Sequence, residues 1–274
     1  MIRFCGHTMG TPESTPEESI ELFAALGLGG IEFVCDESSG VNVGLSSLQR
    51  SRLAARAHSA GLEVVCLTPY QWEIANADKQ VRAEQVHGLV EYVLMAAEMG
   101  CRRVRAYGGR EVAGPARSDA LRRAAASLRE VAEATEALDV ILCVENHMGT
   151  LTRGGRETME LLRLVAHPRV QVLYDPANAQ QCSGETWEET WRIQSSHLSH
   201  VHAKDFALEG DKRAACLIGA GVVPWREIMV ELREANYTGF VSLEYEKKWY
   251  PDMLPDAGTG MAQCVRTLKS YRKA

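Results

Sequence analysis

The sequence has no stretch of about 18 consecutive apolar residues, so no segment has the length and hydrophobicity of a membrane-spanning helix. Its start, MIRFCGHTMG, carries no apolar core behind a basic head, which argues against a secretory leader and for a cytoplasmic protein. It has no excess of positive charge: 30 Lys and Arg stand against 36 Asp and Glu, giving a formal charge of −6 and a pI near 5.8. Such a balance leaves little cationic surface to neutralise a phosphate backbone, so nucleic acid is a poor partner. None of the eight cysteines falls in a CxxC pair, and their wide spread favours free thiols in a reducing compartment over a disulfide framework. A GxGxxG turn is missing, as is any Ser/Pro-rich linker, so residues 1–274 read as one domain rather than a dinucleotide-binding pair.

What is there repeats. Cys5, Cys35, Cys66, Cys101 and Cys143 recur at intervals of 30, 31, 35 and 42 residues, four of them inside or at the end of short apolar runs. The runs are IRFCGHT (2–8), GIEFVC (30–35), LEVVCLTP (62–69), RRVRAYGG (102–109) and VILCVEN (140–146), then VQVLYDP (170–176), LSHVHAKD (198–205) and GFVSLEYE (239–246). Between them lie segments with helical spacing, such as Trp225, Ile228, Met229 and Leu232. Thr15-Pro16-Glu17-Glu18 marks a helix start, and Gly27, Gly61 and Gly100 stand where helices should end. Eight strands alternating with eight helices predict a single parallel (β/α)8 TIM barrel, with 46% apolar residues to fill its core.

A barrel of this kind keeps its chemistry at the C-terminal strand ends. Strand five ends in Glu145-Asn146-His147, strand six in Asp175-Pro176-Ala177-Asn178, strand seven in His202-Ala203-Lys204-Asp205 and strand eight in Glu244-Tyr245-Glu246. Side chains alternate along a strand, so if Leu142 and Val144 face the helices, Glu145 faces the axis. The same parity turns Asp175, His202 and Glu244 inward, and the four converge in one layer. Three carboxylates and an imidazole in a partly dry site repel unless a positive charge sits among them. A divalent cation meets that need; the oxygen-rich set suits Mn²⁺ or Mg²⁺ best, with Zn²⁺, Co²⁺ and Fe²⁺ left open. His200, deeper on the face of His202, reads as a partner of the site or as a core histidine.

The motifs GIEF, VENH, YDPAN, HVHAKD and SLEYE, in this order, resemble the xylose-isomerase-like sugar isomerase/epimerase superfamily, whose barrel is shared by apurinic-site endonucleases. The resemblance implies one divalent metal on Glu145, Asp175, His202 and Glu244, a small carbohydrate substrate, and a homo-oligomer of two or four chains. The expected reaction is isomerisation or epimerisation of a polyhydroxy ketone or aldehyde through an enediolate, with Glu145 and Glu244 as catalytic bases. The same enediolate can expel a β-hydroxyl, so a dehydratase acting on a keto-cyclitol or related acid is the alternative. An endonuclease would need further histidines, where strand six offers Asn178 and strand three Thr68-Pro69-Tyr70; a non-catalytic binding barrel would keep the metal without turnover.

Around the site, His7, Tyr70, Trp72, His147, Asn178, Lys204 and Trp249 are the expected substrate contacts, with Tyr250 beside Trp249. Lys204 matches a lysine of the family's HxHxKD pattern and is expected either to neutralise the enolate or to pair with Glu32 or Asp205. Relatives often carry histidine where Asn178 stands, and an amide there can still hydrogen-bond a substrate hydroxyl. Finally, GAGVVPW (219–225) places glycines ahead of a helix, a weak signal for phosphate binding by backbone N–H groups.

Overall fold

The computed structural model describes residues 1–210 and 212–272. Its strands are β1 (Arg3–His7), β2 (Gly30–Cys35), β3 (Glu63–Pro69), β4 (Arg103–Ala106), β5 (Ile141–Glu145), β6 (Val170–Tyr174), β7 (Leu198–Ala203), β8 (Asp205–Glu209), β9 (Lys212–Cys216) and β10 (Phe240–Leu243). Eight of them close a barrel in the order β1-β10-β7-β6-β5-β4-β3-β2, every pair parallel. Each coincides with one of the eight runs read from the sequence. The hairpin β8–β9, inserted after the seventh barrel strand, is an addition that the sequence reading missed.

Nine helices wrap the barrel among the described residues: α1 (Pro16–Ala25), α2 (Ser47–Ser59), α3 (Lys79–Glu98), α4 (Ala116–Ala134), α5 (Gly155–Val165), α6 (Pro176–Cys182), α7 (Trp187–Gln194), α8 (Trp225–Glu234) and α9 (Ala257–Tyr271). Their starts are written locally. Thr15 caps α1 through a reciprocal bond pair with Glu18, and Ser46 with Gln49 and Thr186 with Glu189 do the same for α2 and α7. Gly27, Gly61 and Gly100 follow α1, α2 and α3 at φ of 67°, 80° and 68°, a left-handed turn that side chains with a Cβ avoid. No helix among the described residues is long and apolar enough to cross a membrane.

The main core lies between strands and helices, where the outward strand residues Ile31, Leu142, Val144, Val172 and Val241 meet the apolar helix faces. Inside the barrel a small cluster of Cys5, Val65, Cys66 and Phe240 closes the floor. Trp225, buried at the start of α8, stabilises by roughly 2–3 kcal/mol through burial alone. Its Nε1 also donates to the Lys204 carbonyl at 2.9 Å, which ties the helix to the end of β7.

One irregularity positions the site. Between Val172 and Leu173 the register of β6 on β7 slips, so that Val172 stands opposite Leu198 but Leu173 opposite His200. The slip lets Leu173 share a face with His200, and Asp175, two residues on, then comes level with His202.

Candidate active site at the C-terminal barrel mouth

Glu145 closes β5, Asp175 follows β6, His202 lies in β7 and Glu244 follows β10. One donor atom from each lies within 4.8 Å of all the others, and all four side chains are buried. Asp175 also caps a helix, since its Oδ1 accepts from the Asn178 N–H at 2.8 Å at the start of α6, with Pro176 fixing the first turn. His202 Nδ1 stands 3.4 Å from both Glu145 Oε1 and Glu244 Oε1, and it has no hydrogen-bond partner among the described residues. That unpaired buried nitrogen, facing two carboxylate oxygens, fits a dication as a fourth party.

Two cations brace the acids. Lys204 Nζ lies 2.7 Å from Glu244 Oε2, 2.9 Å from Asp175 Oδ2 and 3.5 Å from Glu246 Oε1. Arg105, buried in β4, donates from Nη1 to Glu145 Oε2 at 3.3 Å and from Nη2 to the Pro69 carbonyl at 3.2 Å. Burial alone would raise the Glu145 carboxyl, but His147 and Arg105 hold it down at about 2. Burial likewise works against ionised Glu244, and Lys204 and His202 outweigh it, keeping that carboxyl well below the usual range. Asp175 goes the other way: burial, with Glu244 and Glu145 nearby, lifts it to about 7 despite Lys204. Their surroundings thus pull the carboxyls apart, Glu145 and Glu244 toward the ionised form and Asp175 toward the protonated one.

The expectation that Lys204 pairs with Glu32 or Asp205 is corrected. Glu32 is taken by histidines: its Oε2 accepts from His200 Nε2 at 2.8 Å and its Oε1 from His202 Nε2 at 3.0 Å. His200 is therefore a partner of the site rather than a bystander in the core. Asp205 is taken by backbone: Oδ1 accepts from the N–H groups of Phe206 and Val223, and Oδ2 from those of Gly219 and Gly221. Three of those donors belong to the GAGVVPW segment, so the N–H groups that a phosphate would need already serve a carboxylate. Replacing Asp205 with Ala strands these donors and is expected to cost about 2–3 kcal/mol, read as a lowered thermal midpoint; an unchanged midpoint would refute the clamp.

The remaining candidates divide by position. Trp72 stacks on Tyr107 at 4.0 Å between centroids, and His147 meets both rings edge-on at 5.4 and 5.0 Å. Tyr70 stands 6.4 Å from Tyr107, and the Arg105 guanidinium lies over both tyrosine rings. The Tyr70 and Tyr107 hydroxyls are buried without a partner among the described residues. Asn178 Nδ2 donates to Asp175 Oδ2 at 2.9 Å and to Glu145 Oε1 at 3.3 Å, while its Oδ1 is unpartnered among those residues. His7 lies edge-on to His202 at 5.4 Å, its Nδ1 accepting from Met9 N–H and its Nε2 3.3 Å from Thr68 Oγ1. Trp249 is 54% exposed after β10, apart from the aromatic wall.

Sequence reasoning passed over Arg105, Tyr107 and the clustering of Glu32 with histidines. The signal for the first two was in RRVRAYGG: Arg103, Arg105 and Tyr107 share a parity, and an arginine facing into a barrel needs an anion there.

An eight-stranded parallel barrel whose mouth gathers three carboxylates, an imidazole and a buried lysine defines a class. The sequence matches the family described as xylose isomerase-like TIM barrel over residues 20–271, and the chain belongs to that family. Among solved structures it is similar to an L-ribulose 3-epimerase, at 20% identity and a TM-score of 0.82, covering 100% of this chain and 96% of that one. It is similar also to the D-psicose 3-epimerase of Clostridium cellulolyticum H10, at 17% identity and a TM-score of 0.80, covering 99% of each chain. The probable 3-DHS dehydratase AsbF of Bacillus anthracis, involved in petrobactin synthesis, is matched at 17% identity and a TM-score of 0.81, covering 98% of this chain and 99% of that one. At these identities the likeness is one of fold. No curated protein sequence matches the chain.

Proposed function

We propose that this protein is a divalent-metal-dependent isomerase or epimerase that moves a proton beside the carbonyl of a small sugar or related polyhydroxy ketone. The observation that carries this reading is the meeting of donor atoms from Glu145, Asp175, His202 and Glu244 within 4.8 Å of one another in a buried site. Mn²⁺ or Mg²⁺ suits this donor set best, and Zn²⁺, Co²⁺ and Fe²⁺ accept the same atoms. Bound there, the ion would supply Lewis-acid polarisation of the substrate carbonyl.

The chain's own residues do the rest. Glu145 and Glu244 arrive from strands on either side of β6 and β7, and both are held ionised, so each can accept a proton from a substrate carbon on its own side. Removal by one carboxylate, followed by delivery from the other after it has taken a proton from solvent, inverts a stereocentre, whereas one carboxylate that takes the proton from one carbon and returns it to the next exchanges aldose and ketose. Lys204, an ammonium among the acids, steadies negative charge on the substrate oxygen. Tyr70, Trp72 and His147 supply a wall for the sugar, and Asn178 Oδ1 an acceptor for one of its hydroxyls. His7 packs edge-on against His202, and Trp249 stands at the rim.

The names of two similar structures, both ketose 3-epimerases, support this reading. A second reading rests on Lys204: an ammonium inside the site is also an acid for a departing β-hydroxyl, as a dehydratase of a keto-cyclitol or related acid requires, and one similar structure is a probable dehydratase. Metal analysis followed by incubation with ketoses, keto-acids and inososes in D₂O tests both. Chelator-sensitive deuterium uptake beside the carbonyl is expected. A new enone absorbance would favour the dehydratase, and neither change in metal-loaded protein would overturn the proposal.

A further inference from the structure

We propose that Glu32 is a positioning residue that fixes His202 as the Nε2–H tautomer, keeping its Nδ1 as a lone-pair donor toward Glu145 and Glu244; this rests on the metal-dependent reading above. Glu32 comes from β2, with β1 and β10 between it and β7, and it is 0% exposed. A carboxylate at the barrel axis is costly unless its oxygens are hydrogen-bonded, and an ionised one can only accept. Both oxygens are occupied by imidazole nitrogens, Oε2 by His200 Nε2 at 2.8 Å and Oε1 by His202 Nε2 at 3.0 Å. Each of those nitrogens must therefore carry a hydrogen.

The consequence passes through the His202 ring. With the hydrogen on Nε2, and a dication in the place of any second ring proton, Nδ1 would present a lone pair 3.4 Å from one oxygen of Glu145 and one of Glu244. Three acceptors then face one another across a small gap, an arrangement that only a cation or a shared proton relieves. The opposite tautomer would set a lone pair against Glu32 and a hydrogen against the metal position, losing both contacts. His200 acts as the counterweight: by holding the second oxygen, it stops the Glu32 carboxylate from rotating away from His202. A carboxylate behind a ligating histidine raises the basicity of the ring and orients it, and its loss commonly costs 10–100-fold in metal affinity.

The test uses the full chain labelled with ¹⁵N-histidine and loaded with Mg²⁺, in which ¹H–¹⁵N correlations report the tautomer directly. The expected result is a His202 ring carrying its hydrogen on Nε2; a hydrogen on Nδ1 would overturn the proposal. Glu32→Gln offers one acceptor and one donor in place of two acceptors. It is expected to weaken Mn²⁺ binding in calorimetry by about 10–100-fold and to mix the His202 tautomers. Glu32→Asp, which keeps the carboxylate, should recover part of that affinity, and His200→Gln, which frees one Glu32 oxygen but leaves the His202–Glu32 bond possible, should lose less than Glu32→Gln. Folded Glu32→Gln protein binding Mn²⁺ as tightly as the parent would also overturn the proposal. Should Glu32→Gln fail to fold, the parent spectrum still decides. If the parent binds no metal, the functional reading fails, and the nitrogen that keeps its hydrogen once the metal-free ring is titrated to its neutral form separately shows whether Glu32 sets the ring.

Discussion

Glu244→Gln, assayed at saturating metal, is expected to lose about 10³-fold in the rate of proton transfer to and from the substrate carbon. That corresponds to about 4 kcal/mol of transition-state stabilisation, the scale of a whole general base rather than of a packing defect. The substitution barely changes shape, but it replaces a firmly ionised carboxylate with an amide that cannot accept a proton at neutral pH. It also breaks a specific contact, because Glu244 Oε2 accepts from Lys204 Nζ at 2.7 Å and an amide NH₂ there would meet another donor. The amide oxygen should turn toward Lys204, leaving the NH₂ toward His202 Nδ1, so weaker metal binding is expected too and saturation is essential. Glu145→Gln is the matched experiment, since Glu145 Oε2 is held by Arg105 as Glu244 Oε2 is held by Lys204. Loss of epimerisation in both variants supports a base on each face. Exchange at the parental rate in metal-saturated Glu244→Gln would remove Glu244 from the mechanism.

Much of this architecture could be read before any coordinates because two simple periodicities carried it. Alternation in VILCVEN and GFVSLEYE placed Glu145 and Glu244 on the axis side, and the barrel rule placed them at one end. Nothing in those strings shows that β6 slips on β7, although without the slip Asp175 would not stand level with His202. Register depends on what packs on both faces at once, which one strand's sequence does not contain. The partners of Lys204 were misassigned for a related reason. Asp205 is its neighbour in the chain, but successive strand residues point to opposite faces, and Asp205 turns instead to the backbone of residues 219–223. The hairpin β8–β9 escaped because Asp205–Glu209 and Lys212–Cys216 are short and mixed in polarity, and their pairing is visible only once both are placed. Arg105 escaped because a charged strand residue reads as solvated until its buried acid is known.

Lys204→Met is expected to show that the lysine and the metal stabilise the same acids. The Lys204 side chain is 6% exposed and lies within 3.5 Å of Glu244, Asp175 and Glu246, all of which lose their nearest cation in the variant. Methionine fills a similar volume, so the cost is electrostatic rather than a cavity. Removing one member of a buried ion pair commonly costs about 3–5 kcal/mol because the partner stays buried and uncompensated. For a domain of this size that is a fall of about 6–15 °C in the thermal midpoint of metal-free protein. Besides Arg105, which braces Glu145 alone, the added positive charge these acids could gain is a dication on Glu145, Asp175, His202 and Glu244, which would bind the folded state and stabilise it by mass action. Saturating Mn²⁺ should therefore raise the midpoint of Lys204→Met by more than it raises the parent's, and the gap between them should narrow. The sign follows from the charges: without Lys204 the pocket is more negative and gains more from each positive charge it admits. An equal gap with and without Mn²⁺ would mean that Lys204 and the metal position are uncoupled, and the four-residue pocket would no longer account for both.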